Sequence, residues 1–260
     1  MFLSYKYKEF PVVGVLLLIN IFYFLILELN GGSKNWLTLV YYGAKEGISI
    51  SRGEYWRLLT PIFMHIGFFH LIVNSIGLIV FGPIMEKIFG PVRFAIIYIL
   101  SGVWGNIFSF ISSVSIGAGA SGALFGLAGC YAAYLYINKD DLGKFGRESL
   151  VGLSWIVGIN IVFGFTVSGI DNSAHLGGLF SGFIFGYLLA PRILTTFVSQ
   201  FESMEINVEK KVSMQRPLLL WVAFIVTNII LNFLIVRITI NAFYYWWRRG
   251  RVELPVQINN

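Results

Sequence analysis

Residues 119–137 read GASGALFGLAGCYAAYLYI, a run with no charged side chain, and residues 173–190 read SAHLGGLFSGFIFGYLLA. Each approaches the about 20 helical residues needed to cross a hydrocarbon core. Gly122 and Gly126 in the first run, and Gly178, Gly182 and Gly186 in the second, repeat at every fourth position. On a helix that spacing lines the glycines along one face, and rows of small residues let two backbones approach closely. The spacing predicts two tightly packed membrane helices, with Ser121 opening one and His175 opening the other.

Working outward, five further apolar stretches reach or approach spanning length, at 11–29, 66–85, 92–113, 149–167 and 217–240. Apolar and aromatic types make up 57% of the 260 residues and charged types only 12%, against about 25% charged in a soluble domain. Mean hydropathy is +0.75. A chain so poor in charge has too little polar surface to coat a globule, so much of its exterior must face lipid. The fold class expected is an all-α polytopic membrane protein, a six-helix bundle plus one additional C-terminal transmembrane helix. The net charge of +6 is scattered over short loops, which argues against a nucleic-acid partner. The first apolar run is too long for the apolar part of a signal peptide and has no A-x-A site after it, so it is read as a retained helix.

Loop charge orients the bundle. Lys6, Lys8, Lys87, Arg93, Lys139, Lys144, Arg147, Arg192, Lys210, Lys211 and Arg216 fall on one side if the helices alternate, and the positive-inside rule makes that side the cytoplasm. Arg248, Arg249 and Arg251 are the exception, in an aromatic-basic tail of interfacial character. The expected organisation is a cytoplasmic tail at 1–10, a six-helix core at 11–192 and a cytoplasmic loop at 193–216. A seventh span at 217–240 and an extracytoplasmic or interfacial tail at 241–260 complete it. The expected home is a bacterial plasma membrane, N terminus inside and C terminus outside. The long stretch from Asn30 to Pro61 exceeds a bare connection and is expected to lie against the bundle at the interface.

Polar groups inside spans are expensive and therefore informative. His70 and Asn74 sit at i and i+4 on one face of the second span; Ser121 and His175 open the fourth and sixth. If the helices alternate, His70, Ser121 and His175 all lie within a few residues of the outer ends of their spans, at depths several ångströms apart given about 1.5 Å rise per residue. A serine hydroxyl needs a base to become a nucleophile, and neutral imidazole serves near pH 7. An oxyanion needs donors already in position; the Asn74 amide, His70 and the backbone N–H of Ser121 suit that task. No acidic residue stands out as a partner for His175, so a Ser121–His175 dyad is expected rather than a triad.

Other residues are read as structural. His65, five positions from His70, falls off the His70/Asn74 face, and Asp171 is expected in a solvated loop. The one cysteine, Cys130, lies in an apolar run and reads as packing; no cysteine cluster offers a zinc site. Gly117, Gly119 and Gly122 match G-x-G-x-x-G with Asp140 about 20 residues on. Their flanks are membrane-length runs rather than a soluble βαβ unit, and Ala123 breaks a G-x-S-x-G elbow. A channel or transporter would line a path with ionisable groups. Here the polar cluster sits at one end of the bundle, and Arg237 is the only clear charge deep in a span.

Four segments carry a resemblance to a known family: EYWRLLTPIFMH at 54–65, HLIVN at 70–74, GASGALFG at 119–126 and AHLGGLFSG at 174–182. In order, spacing and helix assignment they resemble the rhomboid intramembrane proteases over about Glu54 to Pro191. The resemblance implies Ser121 as nucleophile, His175 as base, and His70 and Asn74 as oxyanion stabilisers. It makes Trp56 and Arg57 a structural pair and Phe125 an aromatic packed on the catalytic histidine; Gly119 is counted with Phe125 as supporting. The seventh helix is similar to the extra C-terminal span of some members. The implied reaction is cofactor-free hydrolysis of peptide bonds in or beside transmembrane helices. Partners are the lipid bilayer and single-span protein substrates, with small residues at the cut and helix-weakening residues further in. Substrates are expected to enter from the bilayer near the fifth span. The rival reading is a membrane-protein binding or quality-control factor whose cleavage is incidental.

Overall fold

A computed structural model describes residues 10–198, 208–214 and 217–248. The tail through residue 9 with Lys6 and Lys8, Arg216, and the tail from residue 249 with Arg249 and Arg251 lie outside the described residues. Among those described, the helices are α1 (Pro11–Leu29), α2 (Trp36–Tyr41), α3 (Gly47–Ser51), α4 (Phe68–Phe89), α5 (Pro91–Ser112), α6 (Ser121–Ile137), α7 (Lys139–Thr166), α8 (Asn172–Leu189) and α9 (Leu218–Arg248). Between α8 and α9, strands β1 (Arg192–Val198) and β2 (Val208–Met214) pair antiparallel, with Arg192 opposite Met214 and Val198 opposite Val208. The rest of the architecture is helical, as the composition requires. The segment read as a plain loop at 193–216 thus holds a two-stranded ribbon, and the last helix runs to Arg248 rather than ending near 240.

Among the described residues, five helices are long and apolar enough to cross a membrane: α1, α4, α5, α7 and the 219–242 portion of α9. The other two long helices, α6 and α8, are the innermost. Their facing sides are buried against each other and against α5, so glycine and serine are tolerated there, while α8 turns Phe180, Tyr187 and Leu188 outward. The expected fifth span begins earlier than residue 149, because a helical segment from Lys139 leads into it through a break at Gly143 (φ +53°).

The seam between α6 and α8 organises the bundle. A β-carbon at Gly178 would collide with the carbonyl oxygen of Gly122, and one at Gly182 with that of Gly126. At Gly186 it would stand 2.5 Å from the Cys130 carbonyl oxygen. From the third side, α5 brings Gly105, where a β-carbon would lie 2.8 Å from the Ala174 carbonyl oxygen. Packing at this range replaces the hydrophobic drive that helices lack in lipid. Around the seam, Leu78, Met85, Phe89, Phe94, Ile97 and Leu127 form the main core. Glu86 of α4, almost fully buried, accepts the Val12 and Val13 amides at 3.1 and 3.0 Å. It thereby caps the otherwise unsatisfied N-terminus of α1.

The segment between α1 and α4 lies on the bundle through α2, α3 and two 3₁₀ turns at Tyr55–Leu58 and Thr60–Phe63. Arg57 holds it together, donating from Nη1 to the carbonyls of Val40 (2.6 Å) and Ala44 (3.2 Å) and from Nε to Glu54 (2.6 Å). Its guanidinium lies 4.5 Å from the Trp56 ring centre. Asn106 of α5 donates to the Leu58 carbonyl at 2.9 Å. The last helix packs along α5, where Trp104 Nε1 donates to Asn228 Oδ1 at 2.9 Å. It also reaches the 3₁₀ region, with Tyr55 and Phe233 edge to face at 6.3 Å.

The seam generates a paired expectation. Gly182→Ala must push α6 and α8 apart and is expected to cost about 1–3 kcal/mol. Gly158→Ala, where a β-carbon meets nothing within 4 Å, is expected to be neutral or to stabilise by up to about 1 kcal/mol through helix propensity. Thermal unfolding followed by circular dichroism in one detergent compares them; equal midpoints would remove the seam from its central role.

Candidate active site

Three helices begin at the same end of the bundle, each delivering a polar side chain within its first turn. His70 is the third residue of α4, Ser121 the first of α6 and His175 the fourth of α8. His175 Nε2 lies 2.9 Å from Ser121 Oγ. The imidazole is largely buried, and Phe125, one turn after Ser121, stacks on it with ring centres 4.2 Å apart and planes 10° from parallel. That stack fixes the ring plane and holds Nε2 on the serine. His175 Nδ1 has no hydrogen-bond partner among the described residues.

His70 completes the third corner. Its Nδ1 accepts the Ile66 amide at 3.3 Å, so the neutral ring carries its proton on Nε2. That N–H points into the space above Gly119. A β-carbon at residue 119 would stand 2.7 Å from His70 Cε1, 2.9 Å from Nε2 and 3.6 Å from Ser121 Oγ. The Gly119 backbone has φ +147°, and its amide donates to the Pro61 carbonyl at 2.9 Å. Glycine at 119 therefore leaves open a small volume reached by both the serine hydroxyl and the His70 donor.

Asn74 is buried one turn along α4, its amide nitrogen donating to the His70 carbonyl at 2.9 Å. One amide hydrogen remains for another acceptor. His65 is fully buried with its ring edge-on to His70, centres 5.3 Å apart. Burial, reinforced by His70, pushes its pKa down to about 3, so it stands as a neutral wall behind His70.

Asp171 departs from expectation. Instead of lying in a solvated loop it is half-buried and caps α8, its Oδ1 accepting the Ala174 amide at 3.0 Å. Its Oδ2 accepts a short hydrogen bond from the Ser109 hydroxyl of α5. The signal was present in D-N-S-A-H, since an aspartate three residues before a free amide is a standard helix cap. Sequence reading also passed over Lys45 and Ser109. Lys45 is completely buried, and its Nζ donates to Ser109 Oγ at 2.7 Å and to the Ser113 carbonyl at 3.0 Å. Burial pushes the Lys45 pKa down to about 8 against the opposing pull of Asp171 and Glu46. Beside the site, an apolar cleft of about 550 Å³ runs between α7 and the α6/α8 pair, lined in part by Ala128, Gly129, Leu153, Val157 and Leu179.

A protein-family model described as the Rhomboid domain matches residues 52–192. The chain is 47% identical over 165 residues to rhomboid protease GluP of Bacillus subtilis (strain 168), covering 64% of this chain and 32% of that protein. It is 35% identical over 143 residues to putative rhomboid protease YdcA of the same organism, covering 54% and 70%. With RHOMBOID-like protein 6, mitochondrial, of Arabidopsis thaliana it shares 38% identity over 154 residues, covering 58% and 50%. The chain thus spans about a third of the length of the first of these relatives and half of the third.

The open volume at Gly119 is testable without a substrate. Gly119→Ala adds backbone strain and forces the His70 ring away. Displacements near 1 Å cost about 10²-fold in reactions that depend on alignment. The expected result is a fall of that order in the rate at which Ser121 reacts with a fluorophosphonate, with helical content retained. A wild-type rate would mean that the close approach of His70 is dispensable.

Proposed function

Because this chain is a multi-pass membrane protein that belongs to the rhomboid family, we propose that it is an intramembrane serine endopeptidase acting through a Ser121–His175 dyad. The observation that carries the reading is the 2.9 Å approach of His175 Nε2 to Ser121 Oγ at the head of two helices whose glycine faces interlock.

In the proposed reaction His175 Nε2 takes the Ser121 proton as Oγ attacks the carbonyl carbon of the scissile peptide. The developing oxyanion is received by His70 Nε2–H, by the free amide hydrogen of Asn74 and by the Ser121 backbone N–H. Such donors are worth about 10²–10³ each in rate. Return of the proton from His175 to the leaving amine releases one product and leaves an ester on Ser121. Water, activated by the same imidazole, then hydrolyses that ester. The Asp171 carboxylate is occupied by Ser109 and the Ala174 amide, which favours a dyad over a triad.

The substrates in this reading are single-span membrane proteins. A helix hydrogen-bonds its own amides, so the segment to be cut must unwind, which favours small and helix-weakening residues. The cleft beside α7 and the exposed apolar surface of Trp155, Ile159, Val162 and Phe163 support entry from the bilayer at this helix. With the N terminus in the cytoplasm of a bacterial cell, the dyad lies below the outer surface. A membrane-impermeant thiol reagent should then modify Ser168→Cys in intact cells, the native Cys130 being buried and silent. Labelling only after lysis would reverse the orientation.

Fluorophosphonate labelling of the purified full chain tests the chemistry. Wild type is expected to label covalently, and Ser121→Ala and His175→Ala to lose labelling by at least about 10³-fold. An intact wild type that stays unlabelled in lipid as well as detergent would favour a binding or quality-control role.

A further inference from the structure

Lys45 is tied to both chain segments that lead into the dyad, directly to one and through Ser109 to the other. Its backbone pairs with Gly117, each amide donating to the other's carbonyl at 2.9 Å, four residues before Ser121. Its side chain crosses to α5, donating to Ser109, whose hydroxyl donates in turn to Asp171 at the cap of the His175 helix. Gly117 closes the triangle, since a β-carbon there would stand 3.6 Å from both Lys45 Cε and Asp171 Oδ2. Three segments far apart in sequence meet at one buried ammonium.

The direction of each hydrogen bond is fixed. An ammonium only donates, so Ser109 must accept from it and pass its own proton toward Asp171. Both Asp171 oxygens are engaged, one by Ser109 and one by the Ala174 amide. The carboxylate, one turn before His175, is thereby held by neutral donors, with the Lys45 charge acting on it from the far side of Ser109. An uncompensated carboxylate at that range favours the imidazolium, which is useless as a base.

We propose that Lys45 is a positioning residue of the active site, clamping the Ser121 loop to the cap of the His175 helix and compensating Asp171 so that His175 stays available as a base. The proposal rests on the protease reading above. The charged and titratable groups facing Lys45 are Asp171 at the cap of α8 and its own neighbour Glu46; those facing His175 are His70 of α4 and Asp171.

The test is the pH profile of the fluorophosphonate labelling rate for the full chain in detergent, with helical content checked for each variant. Lys45→Met is expected to lower the rate and to move the acid limb to higher pH by about half a unit or more, a single charge being able to move a titration by about 1–3 units. Asp171→Asn, which keeps a competent helix cap, is expected to move the same limb to lower pH. The double variant should bring it back toward the wild-type position. A purely structural lysine would lower the rate while leaving the limb in place, and coincident limbs in all folded variants would overturn the proposal. Should Lys45→Met fail to fold, Lys45→Gln, which keeps a donor toward Ser109 without the charge, decides by the same shift of the limb. A wild type that does not label, or a Ser121→Ala variant that does, would remove the protease reading itself. Labelling by wild type with unmoved limbs would remove only the role of Lys45.

Discussion

Everything at the site depends on how closely α6 and α8 approach one another. Ser121 and His175 belong to different helices, so the 2.9 Å contact between their side chains follows the separation of the two backbones, which larger side chains on the facing surfaces would widen. The glycine rows remove the obstacle: Gly178 faces the carbonyl of Gly122 and Gly182 that of Gly126. With no hydrophobic drive between helices in lipid, only van der Waals contact and weak backbone interactions hold them. Both grow with close approach, so one feature gives the bundle its cohesion and the dyad its distance.

A seam of this kind fixes separation better than it fixes rotation or sliding. Those degrees of freedom are controlled at the helix ends, where the chain leaves regular structure. Phe125 fixes the plane of His175 by stacking, and the Ile66 amide fixes the tautomer of His70. Asp171 fixes where α8 begins. Each of these acts within about one turn of the site. The apolar remainder of each helix serves to hold three helix ends at one level.

What was legible in the sequence follows from this division. The helices and the glycine rows were legible because hydrophobicity and i,i+4 spacing are local properties. The meeting of Ser121, His175 and His70 in one layer followed from counting residues from the ends of alternating spans. The Lys45 network was not legible, because 64 residues separate the lysine from Ser109 and 62 separate Ser109 from Asp171. Nothing near Lys45 marks it as buried, and a lone lysine in an interfacial segment reads as solvated. The ribbon at β1 and β2 was missed for the opposite reason. Its signal, the run I-L-T-T-F-V at 193–198 with four β-branched residues, is local, but it lies among basic residues that mark the segment as a loop.

Burying an ammonium is costly enough that its position needs a reason. The chain entering α6 supplies one. From Ser115 to Gly119 it has no regular structure, and Gly119 adopts a backbone angle that other residues avoid. Such a segment cannot hold Ser121 in place by itself, and the space it must leave open rules out bulky side chains as props. A hydrogen-bonded bridge to Lys45 grips the backbone without filling that space. The lysine side chain extends the same grip, through Ser109, to the cap of the other helix. An apolar prop of equal length would fill the same room but leave the Ser113 carbonyl without its Lys45 donor and the Asp171 carboxylate without a nearby positive charge. The charge is therefore better understood as the means by which an irregular, glycine-rich entry is fixed to a helix start than as a contribution to overall stability.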